Sequence, residues 1–399
     1  MKFLIACGFY GLQPIKTTSN QKFHSSAALW IGVIRSYLIH TRRLKKERGI
    51  FNSAIYEDFY EGRHFVRMGL IFGILASVVL GGFLSISLEW LIIYEGLLLI
   101  SLTLIHWWLL SVTVAGIASL LALGLPNISE LRPLLHWFEG LGINSTTVAP
   151  LNLLILFVVI ILANAVFLNV NGGRFDSPTL VRNQRNNKTA VYKFNELTIF
   201  PVLLFVPGDW IHTSLPMMPL FQVHNHFYAL LLVPILIGLK FTVKRSVPRA
   251  LFKIMSHGIY LLAGIGVCLA IAGYFVPHLI LPAVVILLLG YYLILGLAKH
   301  RDNQQSFEYS EVMDGVRVIG IQPETPAAKM DLKVGDVILE VNGISVTDED
   351  SFYRALSTNS TYCRFKVRDR NDQLKMTESA IFKNSPHEIG VKTYTQLSH

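Results

Sequence analysis

The chain is poor in charge and in cysteine. Only 15% of its 399 residues are charged and 52% are hydrophobic, whereas soluble domains carry about a quarter charged residues. The three cysteines, Cys7, Cys268 and Cys363, form no closely spaced pair, so neither a disulfide framework nor a cysteine zinc site is predicted. The low charge and high hydrophobic content exclude an ordinary soluble protein and favour a polytopic membrane protein.

Signatures of membrane-protease chemistry are also missing. The sequence contains no His-Glu-x-x-His and no Gly-x-Ser-x-Gly. Ser256 and His257 are adjacent, so on a helix their side chains face different directions. The run His224-Asn225-His226, with His212 nearby, is the best metal-like cluster, but no carboxylate or cysteine accompanies it. We therefore expect no catalytic residue, no cofactor and no metal site.

Positive charge dominates, with a formal net charge of +9. No basic face with interleaved aromatic residues occurs, which argues against a nucleic-acid partner. The basic residues lie instead in loops between apolar runs, as is typical of the cytoplasmic side of membrane proteins. These basic loops are 42–48, 174–193, 240–253 and 299–301.

Long apolar runs predict a helical bundle. A helix needs about 20 apolar residues to cross a bilayer, and a break at His106-Trp107-Trp108 divides the longest run in two. Gly73, Gly81 and Gly82 are predicted close-packing points between helices. These apolar runs predict about eight membrane-spanning helices. They are at residues 68–88, 90–105, 108–125, 151–170, 197–215, 227–239, 254–275 and 279–297.

The even number of crossings places every basic loop on one side of the membrane, which is the arrangement that the positive-inside tendency favours. Residues 27–39 are apolar except for Arg35, whose charge is costly at membrane depth. This segment is a further span, a partial insertion or an interfacial helix, and the sequence leaves these alternatives open.

A polar module follows Lys299. Residues 316–321, 337–341, 362–367 and 374–382 are predicted strands, and 327–330 and 351–356 are predicted helices. Asp331 ends the first helix, at a position where Asp tolerates a left-handed backbone. Asn342-Gly343 predicts a tight turn after the second strand.

The order of these elements, with Pro326-Ala327-Ala328, Gly335-Asp336 and Asn342-Gly343, resembles a bacterial PDZ domain over residues 309–395. The resemblance implies binding of a peptide that adds as a strand beside a groove. Phe352 and Leu356 lie on one face of the second helix and line either this groove or the core. No cofactor is implied.

The carboxylate-binding loop of a PDZ domain contains a glycine between two apolar residues. In Asp314-Gly315-Val316, a charged residue takes the place of the first apolar residue. Ile389, Gly390 and Val391, at the other end of the module, match the pattern of a glycine between two apolar residues. We assign the last three to the peptide site. An internal peptide or a surface helix of a partner remains an alternative to a free C-terminus.

The whole chain resembles the MinJ family of polytopic PDZ membrane proteins. The resemblance is carried by Arg42-Arg43-Leu44-Lys45-Lys46-Glu47-Arg48, Tyr56-Glu57-Asp58-Phe59-Tyr60-Glu61, Gly173-Arg174-Phe175-Asp176-Ser177-Pro178 and Leu203-Leu204-Phe205-Val206-Pro207-Gly208. It implies a non-enzymatic scaffold of division-site selection in the cell membrane, enriched at septum and poles. A DivIVA-like coiled-coil protein and a MinD-like ATPase are the implied partners, besides the bilayer and a ligand of the PDZ domain.

The predicted fold is thus a polytopic α-helical membrane protein with a C-terminal α+β PDZ domain on the cytoplasmic side. Its parts are an N-terminal arm at 1–64, a bundle at 65–298, a linker at 299–308 and the PDZ domain at 309–395. Loops 42–63 and 174–193 are further contact surfaces. Two alternatives remain: a regulatory or inactive relative of a PDZ-containing membrane protease, and a transporter with a regulatory PDZ domain.

Overall fold

Two units make up the fold in the computed structural model: a body of helices around a β-ribbon, and a small C-terminal α+β domain. The structure describes residues 25–81, 84–103, 111–126, 128–140, 149–174, 177–182, 188–207, 220–223, 226–305, 309–359, 361–380 and 389–394. The cluster at His212 and His224-Asn225 lies outside these residues, as does the break at 106–108.

Eight α-helices are described in the body. They are α1 (Ser25–Phe51), α2 (Tyr60–Leu80), α3 (Leu88–Thr103), α4 (Ser111–Gly124), α5 (Arg132–Gly140), α6 (Pro150–Asn171), α7 (Pro248–Phe275) and α8 (Ile280–Gln304). Short 3₁₀ turns at Ser129–Leu131 and Pro277–Leu279 precede α5 and α8. Since α8 continues to Gln304, the first part of the predicted linker is helical.

Four helices of the described chain are long and apolar enough to cross a membrane: Tyr60–Leu80, Pro150–Asn171, Pro248–Phe275 and Pro277–Gln304. A fifth is added if α4 and the segment Ser129–Gly140, which meet at 98°, count as one broken span. On either side of the expected break, which lies outside the described residues, the structure has α3 and α4, of 16 and 14 residues. Both are shorter than a simple crossing requires. The predicted count of about eight spanning helices is therefore not confirmed.

The predicted helices at 197–215 and 227–239 are wrong where the structure describes them. Residues Lys188–Pro207 form strand β2 and His226–Val243 form strand β4, paired antiparallel from Tyr192↔Val243 to Pro207↔Tyr228. We call this pair the ribbon. Short strands β1 (Pro178–Arg182) and β3 (Leu220–Val223) extend it in the order β1-β2-β4-β3. A buried strand and a buried helix both read as apolar runs, so periodicity does not separate them.

The free edges of the ribbon are satisfied by the surrounding helices. On β2, the Leu203 N–H donates to the Ser77 hydroxyl of α2 at 3.0 Å. On β4, the Leu236 N–H donates to the Tyr94 hydroxyl of α3 at 2.9 Å. Pro201 and Pro234, which face each other across the ribbon, have no N–H to satisfy. Backbone that is not helical is tolerated in apolar surroundings only when it is paired in this way.

Glycines let α2 approach the ribbon closely. A Cβ on Gly73 would lie 2.8 Å from the carbonyl oxygen of Pro201, and one on Gly81 would lie 3.0 Å from that of Leu203. These positions therefore exclude larger residues on steric grounds. Gly73 and Gly81 are close-packing points as predicted, although their partner is a strand rather than a helix; Gly82 lies outside the described residues.

Helix α1 contains Arg35, the charge that made this segment ambiguous. The guanidinium of Arg35 donates to the carbonyl oxygen of Leu102, in the last turn of α3, at 3.0 Å. A helix C-terminus has unpaired carbonyls and partial negative charge, so it suits a cation. Helix α1 is not among the four candidate spans.

The C-terminal domain follows its predicted order closely. Its elements are β5 (Val316–Arg317), β6 (Gly320–Ile321), a 3₁₀ turn (Pro326–Lys329), β7 (Val337–Val341), β8 (Ile344–Ser345), α9 (Glu349–Ser357), β9 (Tyr362–Arg368), β10 (Leu374–Ala380) and β11 (Val391–Lys392). The main sheet has the order β10-β9-β7-β5, with β8 beside β7, and β11 pairs with β6. Asp331 and Asn342 have the left-handed φ values of 44° and 52° that their positions predicted.

One predicted strand is divided in two. Within residues 316–321, β5 pairs with β7 whereas β6 pairs with β11. Between them the Val318 N–H donates to Asp336 O at 2.8 Å and the Ile319 N–H donates to Lys392 O at 2.9 Å. The segment therefore changes partner strand halfway, which a local alternation pattern does not reveal.

Candidate functional site

The candidate site is the edge of β11 on the side of α9 in the C-terminal domain, where the PDZ resemblance predicts a peptide groove. In β11, the carbonyls of Gly390 and Lys392 accept from the N–H groups of Gln322 and Ile319, at 2.8 and 2.9 Å. Backbone groups alternate between the two edges of a strand. Those of Val391 and Thr393 therefore point to the opposite edge, where an incoming peptide strand would pair.

Helix α9 borders this edge. Its first residue, Glu349, lies near Thr393 and Lys392; burial raises the pKa of the Glu349 carboxyl, and these two neighbours partly offset the rise. The helix begins with a capping box, in which the Ser351 N–H donates to the Asp348 carboxylate at 2.7 Å. This cap fixes where the helix starts and hence which of its residues face β11.

Gly390 occupies a position that only glycine fits. Its φ is 87°, in the left-handed region, and a Cβ would overlap the Thr325 side chain. Thr325 is 1% exposed, and its hydroxyl donates to the Gln322 carbonyl at 2.7 Å. Gly390, directly before β11, is thus tightly held against Thr325, as a preformed backbone-binding position requires.

The five predicted site residues lie around one core. Phe352 is fully buried and packs on Phe365, with ring centroids 5.8 Å apart. Leu356 is partly buried at the margin of that core, and Ile389 and Val391 belong to it. Phe352 is therefore a core residue, and Leu356 is the more accessible of the two. Peptide binding by Phe352, Leu356, Ile389, Gly390 and Val391 stays a prediction.

Residues next to β11, together with the segment at 309–311, dock the domain onto the body. The chain at 309–311 continues beside β2, where Thr189 pairs with Ser310 and the Ala190 N–H donates to Tyr309 O at 3.0 Å. The Tyr394 hydroxyl, just after β11, donates to the carbonyl oxygen of Tyr309. Tyr309 and Tyr394 belong to the hydrophobic core of the body.

Aromatic residues reinforce this contact. The Tyr192 hydroxyl of β2 donates to Ile319 O at 2.9 Å, and its ring meets that of Tyr309 edge-on at 4.9 Å. The Arg370 guanidinium of the domain donates to the Tyr309 hydroxyl at 3.1 Å. Tyr192, Tyr309 and Ile319 are all buried, so the domain is held by packing as well as by hydrogen bonds.

The loop between α1 and α2 forms the second part of the docking surface. Lys392 of β11 donates to the Ser53 hydroxyl at 2.6 Å and is only 4% exposed. Ile55 packs against Gly320, where a Cβ would lie 3.0 Å from its Cδ1. Strand β11 therefore serves two surfaces, the groove on one side and the body on the other.

A buried ion-pair cluster shapes this loop. The Arg43 guanidinium donates to Glu61 at 2.6 Å and to Glu47 at 2.9 Å, and it also reaches the carbonyl of Tyr56 at 2.8 Å. Glu47 in turn accepts from the Ile55 N–H at 2.8 Å. Burial alone would lower the pKa of Arg43, but its bond to Glu61 and the nearby acidic groups raise it. The cluster fixes the loop that receives the C-terminal domain.

The other candidate residues from the sequence do not form a catalytic or metal site in the described part of the chain. Ser256 and His257 each bond to the carbonyl of Lys253, at 2.8 and 2.6 Å, and not to each other. Over the described residues, no three His, Cys, Asp or Glu side chains are grouped to hold a metal ion.

Sequence reasoning missed the docking surface. Tyr192, Tyr309 and Tyr394 lie far apart in the chain, and no local pattern connects them. The one signal in the sequence is the alternation of apolar and polar residues in Tyr192-Lys193-Phe194-Asn195, which is typical of a strand. The charges of residues 174–193 instead favour a basic loop that ends at Lys193.

Comparison with known proteins gives matches to the domain and to the whole chain. The profile of the family described as PDZ domain matches residues 317–369. The chain is 28% identical over 385 residues to the cell division topological determinant MinJ of Bacillus subtilis (strain 168), covering 96% of this chain and 95% of that protein. It is 29% identical over 370 residues to the probable cell division topological determinant MinJ of Lacticaseibacillus paracasei, covering 91% and 94%.

Two solved structures of PDZ domains match part of this chain. The PDZ domains of the SdrC-like proteins of Listeria innocua and Listeria monocytogenes are each 23% identical to it. They cover 22% and 21% of this chain, and 100% and 90% of their own, with TM-scores of 0.19 and 0.18. The profile and the full-length relatives confirm the resemblance expected from the sequence.

Proposed function

We propose that this MinJ-like protein, which carries a C-terminal PDZ domain, is a membrane-embedded scaffold of division-site selection. The observation that carries the proposal is similarity over nearly the whole chain to proteins described as cell division topological determinants. Similarity of the PDZ domain alone would leave the role open, because one fold serves many functions.

The PDZ domain is the recruiting surface in this proposal. The outward edge of β11, next to α9, offers backbone groups to an extended peptide, and Leu356 and Tyr353 lie on the adjacent helix. Main-chain pairing supplies affinity in this binding mode and side-chain pockets supply specificity. Holding the domain at the membrane raises its effective concentration for partners that are themselves membrane-bound.

The proposed partners are a DivIVA-like polar coiled-coil protein and a MinD-like ATPase. The PDZ domain and the basic loops lie on the cytoplasmic side, with the protein enriched at septum and poles. Loops 42–63 and 174–193 are the further contact surfaces. Because Ser53, Ile55 and residues 188–192 already hold the PDZ domain, a partner would bind the remaining exposed parts, such as Glu57 and Phe59.

Photocrosslinking in cells tests the recruiting surface. A photoreactive amino acid at Leu356, beside the groove, is expected to capture division proteins. The same group at Met376, which is 54% exposed on β10 away from the groove, is the matched control and should not capture them. Recovery of a secreted substrate with its cleavage products would instead support a protease regulator and refute the scaffold.

Location gives a second test. A fluorescent fusion of the full chain is expected to concentrate at septa and poles of dividing cells. Deleting residues 309–399 should remove captured partners while the body still reaches the membrane. Uniform distribution of the full-length fusion in dividing cells would contradict a division role.

A further inference from the structure

Helix α5 turns away from α4 at one end of the body. The segment Ser129–Gly140, which contains α5, is inclined by 98° to α4. The turn is closed by packing, because a Cβ on Gly124 at the end of α4 would lie 2.9 Å from the Ile128 side chain and 3.2 Å from that of Leu131. Helix α5 therefore runs across the end of the body, whereas α4 packs alongside the other helices.

This end of the body lies opposite the docked PDZ domain. The domain docks beside the first residues of β2, whereas the connection between α2 and α3 meets β2 near its last residues, where the Ile86 N–H donates to Phe205 O at 2.9 Å. The amide of Asn152, in the first turn of α6, donates to the carbonyl oxygen of Ser85 in the same connection, at 2.9 Å. Helix α5 directly precedes α6 among the helices of the chain, so it lies at the end remote from the PDZ domain.

One face of α5 is apolar and lies against the body. It is formed by residues at the i, i+3, i+4 and i+7 spacing of a single helical face, namely Leu131, Leu134, Leu135 and Phe138. Phe138 is 1% exposed, and the three leucines are partly buried against the core of the body. The body therefore covers most of this face and holds α5 in place.

The opposite face of α5 is polar. It carries Arg132, His136 and Glu139, at the i, i+4 and i+7 positions. The His136 Nδ1 lies 3.0 Å from the Glu139 carboxylate, and the two side chains are 72% and 50% exposed. If α5 were the second half of a broken span, these side chains would meet acyl chains, which is unfavourable for ionisable groups. The nine residues of α5 would also rise only about 14 Å, whereas the hydrocarbon core is about 30 Å thick.

Exposed aromatic side chains lie at this end of the body. Trp137, at the border between the two faces of α5, is 48% exposed. Tyr274, in the last turn of α7, is 72% exposed. A Cβ on Gly273 would lie 3.8 Å from the Leu151 side chain, so the last turn of α7 lies beside the first turn of α6. Trp and Tyr are enriched at the level of the lipid headgroups, where an apolar ring and a polar atom both find favourable surroundings.

We propose that α5 is an interfacial helix, which lies in the plane of the membrane surface opposite the PDZ domain and places Trp137 among the lipid headgroups. Its polar face meets water, and its apolar face covers the body. The partner is the lipid surface in general and not an anionic lipid, because Ser129–Gly140 contains one arginine against two glutamates. The helix fixes the depth of the body in the bilayer, and the candidate spans among the described residues are then four rather than five.

Tryptophan fluorescence of the full-length protein in phosphatidylcholine nanodiscs measures the depth of Trp137. The contribution of Trp137 is the difference in emission between the protein and its Trp137→Phe variant. Phosphatidylcholine brominated near the top of its acyl chains should quench this contribution about two-fold or more as strongly as lipid brominated near the chain ends, because the ring lies at headgroup level. Trp90, which is 0% exposed, is the control: its contribution, measured with Trp90→Phe, should be quenched by neither lipid.

Cysteine labelling tests the polar face independently. In the same nanodiscs, His136→Cys should react with a membrane-impermeant maleimide about three-fold or more faster than Leu134→Cys, because the first side chain faces water and the second faces the body. The unchanged chain gives the background from its own cysteines. Arg132→Cys, on the same face as His136, should react as His136→Cys does, so the comparison survives if Leu134→Cys does not fold.

Three results would overturn the assignment. Stronger quenching of Trp137 by the lipid brominated near its chain ends would place α5 in the hydrocarbon, as part of a broken span. Labelling of His136→Cys no faster than the background would do the same. Quenching of Trp137 by aqueous iodide, but by neither brominated lipid, would place α5 in water away from the bilayer.

Discussion

The ribbon of the body and strand β10 of the PDZ domain both present sheet edges, and they are completed in opposite ways. At the ribbon edges, the hydroxyls of Ser77 and Tyr94 accept hydrogen bonds from backbone N–H groups of the ribbon. Pro201 and Pro234 of the ribbon have no N–H to satisfy. Strand β10 pairs with β9 on one side, and on it Leu374 and Met376 are 61% and 54% exposed. Water can satisfy the edge of β10, whereas the ribbon depends on its neighbours. Each backbone group at a strand edge in apolar surroundings therefore needs a particular protein partner, whereas one at an edge in water does not.

The largest effect is expected from truncating the PDZ core. Phe352→Ala should destabilise the domain by about 3–5 kcal/mol, because it removes a fully buried ring. Limited proteolysis of the full-length protein should then cut residues 309–399 while the body stays intact. Tyr353→Ala, at a neighbouring side chain that is 41% exposed, is the control. If the body became equally sensitive, the two units would not be separable and the comparison would fail.

The second-largest effect is expected where α2 packs closely against the ribbon. Gly73→Ala places a methyl group against Pro201 O and should cost about 1–3 kcal/mol, as overpacking does. The change in Tm in detergent measures it. Gly264→Ala on α7 is the matched control, since a Cβ there meets no atom within 4 Å. An equal Tm for both variants would show that this close contact is not needed.

A smaller effect is expected at one hydrogen bond of the ribbon edge. Tyr94→Phe leaves the buried Leu236 N–H without its partner and should cost about 1–2 kcal/mol. Tyr274→Phe, at a ring that is 72% exposed, should leave the Tm unchanged. Hydrogen exchange at the Leu236 amide would report the loss directly. Unchanged exchange protection there would mean that other groups satisfy this edge.

The smallest effect is expected on the edge that faces water. Met376→Thr should change the stability of the PDZ domain by less than about 0.5 kcal/mol, because an exposed strand residue contributes little packing. Urea unfolding, monitored by proteolysis of the domain, measures it. A loss comparable to that of Tyr94→Phe would indicate that a partner covers β10.

The same contrast decides what could be predicted from the sequence. In the PDZ domain, local signals matched the structure: β7 is Val337–Val341 as predicted, and Asn342-Gly343 makes the expected turn with left-handed φ values of 52° and 82°. Alternation, caps and turns act over a few residues, so they can be found in a single chain.

The body was harder because its decisive contacts are distant. Residues 197–207 look like part of a spanning helix, and they become a strand because Ser77, Gly73 and β4 complete it. Pro201 and Pro234 were the available hint, since proline is disfavoured inside helices. The groove shows a similar limit: spacing placed Phe352 and Leu356 on one helix face, but only packing distinguishes the buried ring from the more accessible leucine.

The satisfied edges of the ribbon also constrain how the protein is made. A lone strand released into lipid would leave several amides unpaired, each at a cost of several kcal/mol. The groups that pair with Leu203 and Leu236 belong to α2 and α3, which leave the ribosome before β2 and β4. The partner groups are therefore synthesised before the strands that they complete. Moving the ribbon ahead of those helices in the gene would leave it without these partner groups at the moment of insertion.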